Sequence, residues 1–288
     1  MTIFQGLGVA MITPYNADRS LDISSFESLA DEMIERGADA LIIGGSTGEP
    51  HALTAEEKIL LIKRALYVAK GRVPVIAGVN RTVTTEAKAE ALLAAEAGAD
   101  ALLVLTPYLS KCTEEGCYLH FKETRKAGVP VIAYNVPART GYEMPASVLK
   151  RLVDDNLVSG IKQACADMHS TMEYLSAIGE KGSLYSGEDD LCVSMRALGA
   201  SGVISVAALL MPEAMKGLFD LPFEVAGKLQ LEMNGLINAL FAEVNPVPVK
   251  CLLAALGKCK NVFRLPLTQA KPETEERLFL QAKRAGLL

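Results

Sequence analysis

"VSGIKQ", residues 158–163, ends an apolar run on a lysine. An ammonium is strongly hydrated, and burying it unpaired costs several kcal/mol, roughly. A lysine in that setting is either a snorkelling side chain, half of a buried ion pair, or a reagent. The nearest following carboxylate is Asp167, five residues on. Desolvation favours a neutral amine, and a neutral amine adds to carbonyl carbon to give a Schiff base. That chemistry needs hydroxyls to move protons and donors to hold a carboxylate. The chain offers such groups at the ends of other apolar runs. They are Ser46 and Thr47 in "GGSTGE", Tyr108 in "TPYLS", Tyr134 and Arg139 in "YNVPARTG", and Glu188 in "SGEDD". Each has a plainer reading. A Ser-Thr pair after glycines is common turn chemistry, a strand-end tyrosine is commonly core, and "SGEDD" suits a helix N-terminus. Their convergence favours the chemical reading.

The elements that would bring them together repeat. "GADALIIGG" at 37–45 is echoed by "GADALLVLT" at 98–106, and "VPVIAGV" at 73–79 by "VPVIAYN" at 129–135. Runs apolar on both faces are what a parallel strand buried between two layers requires. Eight such runs occur, at 7–13, 39–44, 73–78, 100–105, 129–134, 158–163, 183–186 and 202–206, each followed by a helical pattern. Phe26, Leu29, Ala30, Met33 and Ile34 form one helical stripe, with Ser24 and Glu27 as its expected capping box. Thr54 and Glu57 form a second box, followed by Ile59, Ile62, Leu66 and Ala69 on one expected face. Eight β-α units predict an α/β fold of the (β/α)8 barrel type, in which strand C-terminal ends carry the chemistry. The barrel is expected over 1–221. Residues 222–288 read as a helical extension packed on it, with "FRLPLT" as a break.

Bulk properties narrow the function. The chain has 288 residues, 50% hydrophobic and 22% charged, with net charge −5. It has no basic run suited to nucleic-acid phosphates, which argues against that partner class. No segment reads as a bilayer span, and the N-terminus lacks a basic start, so a cytoplasmic location is expected. Six scattered cysteines suggest reduced thiols, with C-x4-C at Cys112 and Cys117 a weak metal motif. Three isolated histidines give no zinc site or triad. "GLG" at 6–8 lacks a third phosphate-loop glycine, and acidic Glu188, Asp189 and Asp190 disfavour a phosphorylated substrate.

"GGSTGE", "TPY", "YNVPARTG", "GIKQA", "SGED", "GVISV" and "NPVPVK" (245–250), in that order, resemble the dihydrodipicolinate synthase / N-acetylneuraminate lyase family of pyruvate-dependent class I aldolases. The resemblance implies that Lys162 forms a Schiff base with pyruvate and that Tyr134 donates and accepts protons. Thr47 would bind the pyruvate carboxylate and, with Ser46, belong to the proton relay. The Ile204 backbone would contact pyruvate, and Gly187 and Glu188 would line the substrate site. Arg139 matches the synthase branch, where it receives the carboxylate of aspartate semialdehyde, giving 4-hydroxy-tetrahydrodipicolinate. No cofactor or metal is implied, and a homo-oligomer, dimer or tetramer, is. Leu109 departs from the family, where a second tyrosine reaches a neighbouring subunit's relay. Glu188 stands for the usual aspartate, and Ser46 for threonine. In the family's lysine-feedback region Glu86 matches, while Ala55 and Lys58 replace histidines. A different acceptor aldehyde, or a weakly active 2-keto-acid-binding protein, remains an alternative reading.

Overall fold

A computed structural model describes residues 2–288. Eight parallel strands close into a barrel in sequential order. They are β1 (Gly6–Ala10), β2 (Ala40–Ile43), β3 (Val75–Val79), β4 (Ala101–Leu105), β5 (Val131–Asn135), β6 (Gly160–Gln163), β7 (Ser183–Ser186) and β8 (Gly202–Ser205). Every strand residue is buried, which accounts for the unbroken apolar runs. The first run was expected to reach residue 13. β1 stops at Ala10, and Met11 to Thr13 continue as buried loop.

The N-terminal end of the barrel is plugged by aromatics. Phe4 stacks on Tyr185 with centroids 4.3 Å apart. The Tyr185 hydroxyl donates to the Phe4 carbonyl at 2.9 Å. The Phe4 ring crosses β1 at Gly8, where an added Cβ would lie 2.8 Å from it, so only glycine fits. The opposite end, which receives the strand C-termini, stays free for polar side chains.

The surrounding helices follow their apolar stripes, with two local corrections. In the helix Ile23–Glu35, Phe26, Leu29, Ala30, Met33 and Ile34 are all buried, as the spacing requires. Its cap, however, is Asp22 rather than Ser24. The Asp22 carboxylate accepts from the Ser25 amide at 3.1 Å and the Ser25 hydroxyl at 2.9 Å. Glu27 turns outward to Arg64. An ionised acceptor two residues earlier outcompetes a hydroxyl because it serves two donors at once. The helix Ala55–Ala69 does carry the Thr54–Glu57 capping box. Its buried face is turned by about one residue: Leu61, Ala65 and Val68 join Ile62 and Ala69, while Ile59 and Leu66 are half-buried.

Beyond β8, helices Phe223–Leu240, Val247–Ala255 and Pro272–Arg284 follow, and 263–268 is non-helical. Among the described residues no helix is long and apolar enough to cross a membrane.

The reassigned cap gives a measurable difference. Asp22→Ala should lower unfolding free energy by about 1 kcal/mol, and Ser24→Ala should change it by no more than a few tenths. Urea denaturation of both variants distinguishes them. Equal losses would restore Ser24 as the cap.

Candidate active site

β6 delivers Lys162 to the C-terminal end of the barrel, beside Tyr134 of β5, its register partner. Both side chains are buried. The Lys162 amine sits 4.6 Å from the centre of the Tyr134 ring. A desolvated cation in that position gains roughly 2 kcal/mol from the ring's negative face, about enough to offset part of its burial cost.

Among the described residues three lysines are buried: Lys58, Lys162 and Lys250. Lys250 donates to Glu49 at 2.6 Å and to the carbonyls of Thr13 and Val262 at 3.0 and 2.8 Å, saturating all three protons. Burial pushes Glu49 up and Lys250 down, and each one's charge opposes the other's shift. Lys58 lies 3.0 Å from Glu90. Lys162 has no carboxylate within ion-pairing distance among the described residues. Asp167, the carboxylate nearest in sequence, instead caps the helix Met168–Ile178 through the His169 amide at 2.8 Å.

Carboxylates stand further off. Gly187 follows β7 so close to Ala164 that a Cβ there would lie 2.6 Å from the alanine methyl. This tight passage sets Glu188 within electrostatic reach of Lys162. Burial, then repulsion from Asp190 and Asp189, pushes the Glu188 carboxyl up to about 7, with Lys162 opposing. Asp189 turns inward. Its Oδ2 accepts from the amides of Val206 and Ala207 at 3.0 and 2.8 Å, pinning the chain just beyond Ile204 on β8. "SGEDD" thus holds the end of another strand rather than capping its own helix, Cys192–Ala197.

After β2 the chain makes a single turn, Ser46–Gly48, followed by Glu49 in the left-handed region at φ 53°. This turn buries Thr47. The Thr47 Oγ1 accepts from Asn245 Nδ2 at 2.9 Å. The Asn245 carbonyl in turn accepts from the Arg139 guanidinium at 3.2 Å. A cavity of about 260 Å³ opens above, lined among others by Ser46, His51, Asn80, Tyr108, Arg139 and Asn245. Arg139 itself is exposed on the short helix Pro137–Thr140. Leu109 does not line this cavity. It is 87% exposed and holds φ 69°.

The structure therefore gathers Lys162, Tyr134 and Glu188 at the barrel mouth, and links Thr47 to Arg139 through Asn245. Ser46 and Arg139 share the cavity wall. Sequence reasoning missed Asn245 and Asp189 as parts of the site. The signal for Asn245 was its place in "NPVPVK", but its partner lies 198 residues away, beyond the reach of spacing arguments.

The dihydrodipicolinate synthetase family matches residues 3–285. A 4-hydroxy-tetrahydrodipicolinate synthase of Thermodesulfovibrio yellowstonii is 38% identical over 291 residues, covering 99% of this chain and all of that one. The crystal structure of dihydrodipicolinate synthase from Aquifex aeolicus superposes with TM-score 0.95 at 38% identity, covering 99% of both chains. That of the chloride-inhibited enzyme from Acinetobacter baumannii, complexed with pyruvate, gives TM-score 0.96 at 37% identity, again over 99% of both.

The raised Glu188 carboxyl predicts a pH signature. The group ionises near its ordinary value of 4.5 when unfolded and near 7 when folded. The fold therefore holds the proton more tightly, and stability present below about 4.5 is lost as pH rises through about 7. Glu188→Gln should remove that loss, so the native and variant unfolding curves should diverge across this window. Parallel pH profiles would contradict the assignment.

Proposed function

The chain belongs to the dihydrodipicolinate synthetase family. From that premise we propose that it condenses pyruvate with L-aspartate 4-semialdehyde to 4-hydroxy-tetrahydrodipicolinate, the entry to lysine biosynthesis, as a Schiff-base-forming lyase. The observation that carries the proposal is Lys162, buried at the strand ends over the Tyr134 ring with no carboxylate partner.

In its neutral form the Lys162 amine attacks C2 of pyruvate. The new N–C bond forms as the carbonyl oxygen takes a proton; the nitrogen then gives up one of its own protons, and the oxygen, taking a second, leaves as water. The resulting iminium withdraws electrons from C3, which loses a proton to give an enamine. C3 then bonds to the aldehyde carbon and the aldehyde oxygen is protonated; the acceptor's own amino group, in its neutral form, adds to C2 and displaces the Lys162 amine, which closes the ring and frees the lysine. Tyr134 is the phenol placed to give and take these protons, with Ser46 and Thr47 as hydroxyl partners. The Thr47 hydroxyl and the Ile204 backbone hold pyruvate, and Gly187 and Glu188 line the pocket. Arg139 receives the aldehyde's carboxylate with its guanidinium fork. The iminium is the electron sink, so this chemistry calls for no metal or organic cofactor.

We propose a homo-oligomer, dimer or tetramer, as the working form. Leu109 supports it, since an apolar side chain so exposed on a left-handed backbone is costly unless covered. We place the reaction in the cytoplasm, in keeping with six free cysteines.

Two predictions follow from this reading. Borohydride with pyruvate should trap one adduct at Lys162, and Lys162→Ala should abolish it. Arg139→Ala should keep the adduct while lowering kcat/KM for the aldehyde by about tenfold or more, the worth of one charged hydrogen bond. An adduct at Lys250, or loss of trapping with Arg139→Ala, sinks these roles.

Regulation is the other prediction. A cavity of about 320 Å³ is lined by Lys58, Arg81, Glu86 and Glu90 among others, and shares Arg81 and Glu90 with the substrate cavity. Glu90 is already taken by Lys58 at 3.0 Å and by Arg81 at 3.5 Å. A free lysine's ammonium would meet two cations and one uncommitted carboxylate. Lysine should therefore change the steady-state rate by less than the ~5-fold typical of allosteric coupling. A larger inhibition would show that the pocket repacks around it.

A further inference from the structure

Thr47 and Arg139 belong to different substrates in the proposed reaction, yet both are held by the same residue. Asn245 is more than nine-tenths buried at the base of the cavity wall. It is the first residue of "NPVPVK", a segment that grips the Ser46–Glu49 turn at both of its own ends. Asn245 binds Thr47, and Lys250 binds Glu49. Thr13 adds a third grip, its hydroxyl donating to the Gly48 carbonyl at 2.7 Å.

The direction of the Asn245–Thr47 bond has a chemical consequence. A hydroxyl has one proton to give and two lone pairs to offer. The Asn245 Nδ2 is a donor and occupies a lone pair of Thr47 Oγ1. The Thr47 proton is therefore not consumed by the protein side of the site and is free to be given to a bound anion. Had the neighbour been a carboxylate, the hydroxyl would have had to donate to it. Meanwhile the Asn245 main-chain carbonyl steadies the Arg139 guanidinium at 3.2 Å.

We infer that Asn245 is a positioning residue for both subsites: its side chain sets the Thr47 hydroxyl as a donor to the pyruvate carboxylate, and its carbonyl sets Arg139 for the acceptor. This rests on the pyruvate reading above. Because the two tasks are done by different atoms, they are separable by mutation. Replacing the side chain removes only the first.

The test uses the full chain. Asn245→Asp is nearly isosteric but turns the donor into an acceptor, so it should draw the Thr47 proton away from pyruvate. The pyruvate concentration giving half-maximal borohydride trapping at Lys162 should rise about tenfold, the worth of one hydrogen bond. KM for the acceptor aldehyde, served by the intact carbonyl, should move less than about twofold, within the noise of an unpaired contact. Thr47→Val keeps the shape and removes the hydroxyl. In that background Asn245→Asp should add less than about twofold, because coupled residues are non-additive. Asn245→Ala should fall between native and Asp. Trapping requires pyruvate alone, so an error in the acceptor's identity cannot imitate these results. Equal shifts for both substrates, an unchanged trapping curve, or a tenfold effect persisting in Thr47→Val would each overturn the inference.

Discussion

The proposed chemistry needs an amine that is kept dry and yet left without a partner, and the surroundings of Lys162 meet that demand. The chain shows both ways of burying a lysine. Lys250 and Lys58 face carboxylates at 2.6 and 3.0 Å, whose charge favours the protonated amine over the nucleophilic one. Lys162 has the face of Tyr134 instead. A ring quadrupole offsets part of the desolvation cost without accepting a proton. The difference between a structural and a reactive lysine is thus a difference in neighbours rather than in depth of burial. The carboxylates within electrostatic reach of Lys162 are themselves kept from closing the pair. Asp189 is tied to the amides after β8, and burial holds the Glu188 carboxyl toward its neutral form.

That arrangement needs the turn after β2 to stay put, and a turn of three residues cannot hold itself. Its restraints come from the far end of the chain. The Glu49–Lys250 pair is fully buried and fully hydrogen-bonded on the ammonium side, so breaking one partner would cost about 3–5 kcal/mol. Arg264 adds a grip next door, donating to the Ala52 carbonyl at 2.8 Å and pairing with Glu57. The residues after the eighth strand therefore act on the second strand's loop. They contribute to the site by fixing where Thr47 sits, which couples distant parts of the chain to one hydroxyl.

Much of this was legible in the sequence, and the limits have physical causes. Strands buried on both faces leave unbroken apolar runs, so all eight were visible and only their ends moved by a few residues. Lys162 announced itself because a charge in such a run is expensive. Tyr134 and Arg139 stood out as polar groups at or just beyond the end of an apolar run, and their expected roles came from the family resemblance. The cap of the first helix was misplaced because Asp22 and Ser24 both suit an N-terminus, and the choice depends on which acceptor reaches two donors. The face of the second helix was off by one residue because Lys58, counted as polar, is buried against Glu90. Asn245 and Asp189 stood inside recognisable motifs, but nothing local pointed to what they hold. Their partners are a threonine and two amides on other strands' loops, and contacts between loops have no period to read.

Leu109 carries the argument one step further. A non-glycine residue at φ 69° costs about 1–2 kcal/mol, and exposing most of a leucine side chain adds to it. The strain is in the backbone, so it does not depend on which side chain is presented. The loop after β4 holds a costly conformation that projects this position outward, and the side chain there is a leucine where the family resemblance would place a phenol. In the proposed assembly the leucine still fills space against a neighbouring copy but moves no proton. In the proposed reaction proton transfer then falls to the groups each subunit owns, Tyr134, Ser46 and Thr47, with Tyr108 on the cavity wall. A relay drawn from a single chain depends more heavily on the direction of each hydroxyl within it. That makes the orientation of Thr47, and the amide that sets it, matter more here than in a site completed by a second phenol.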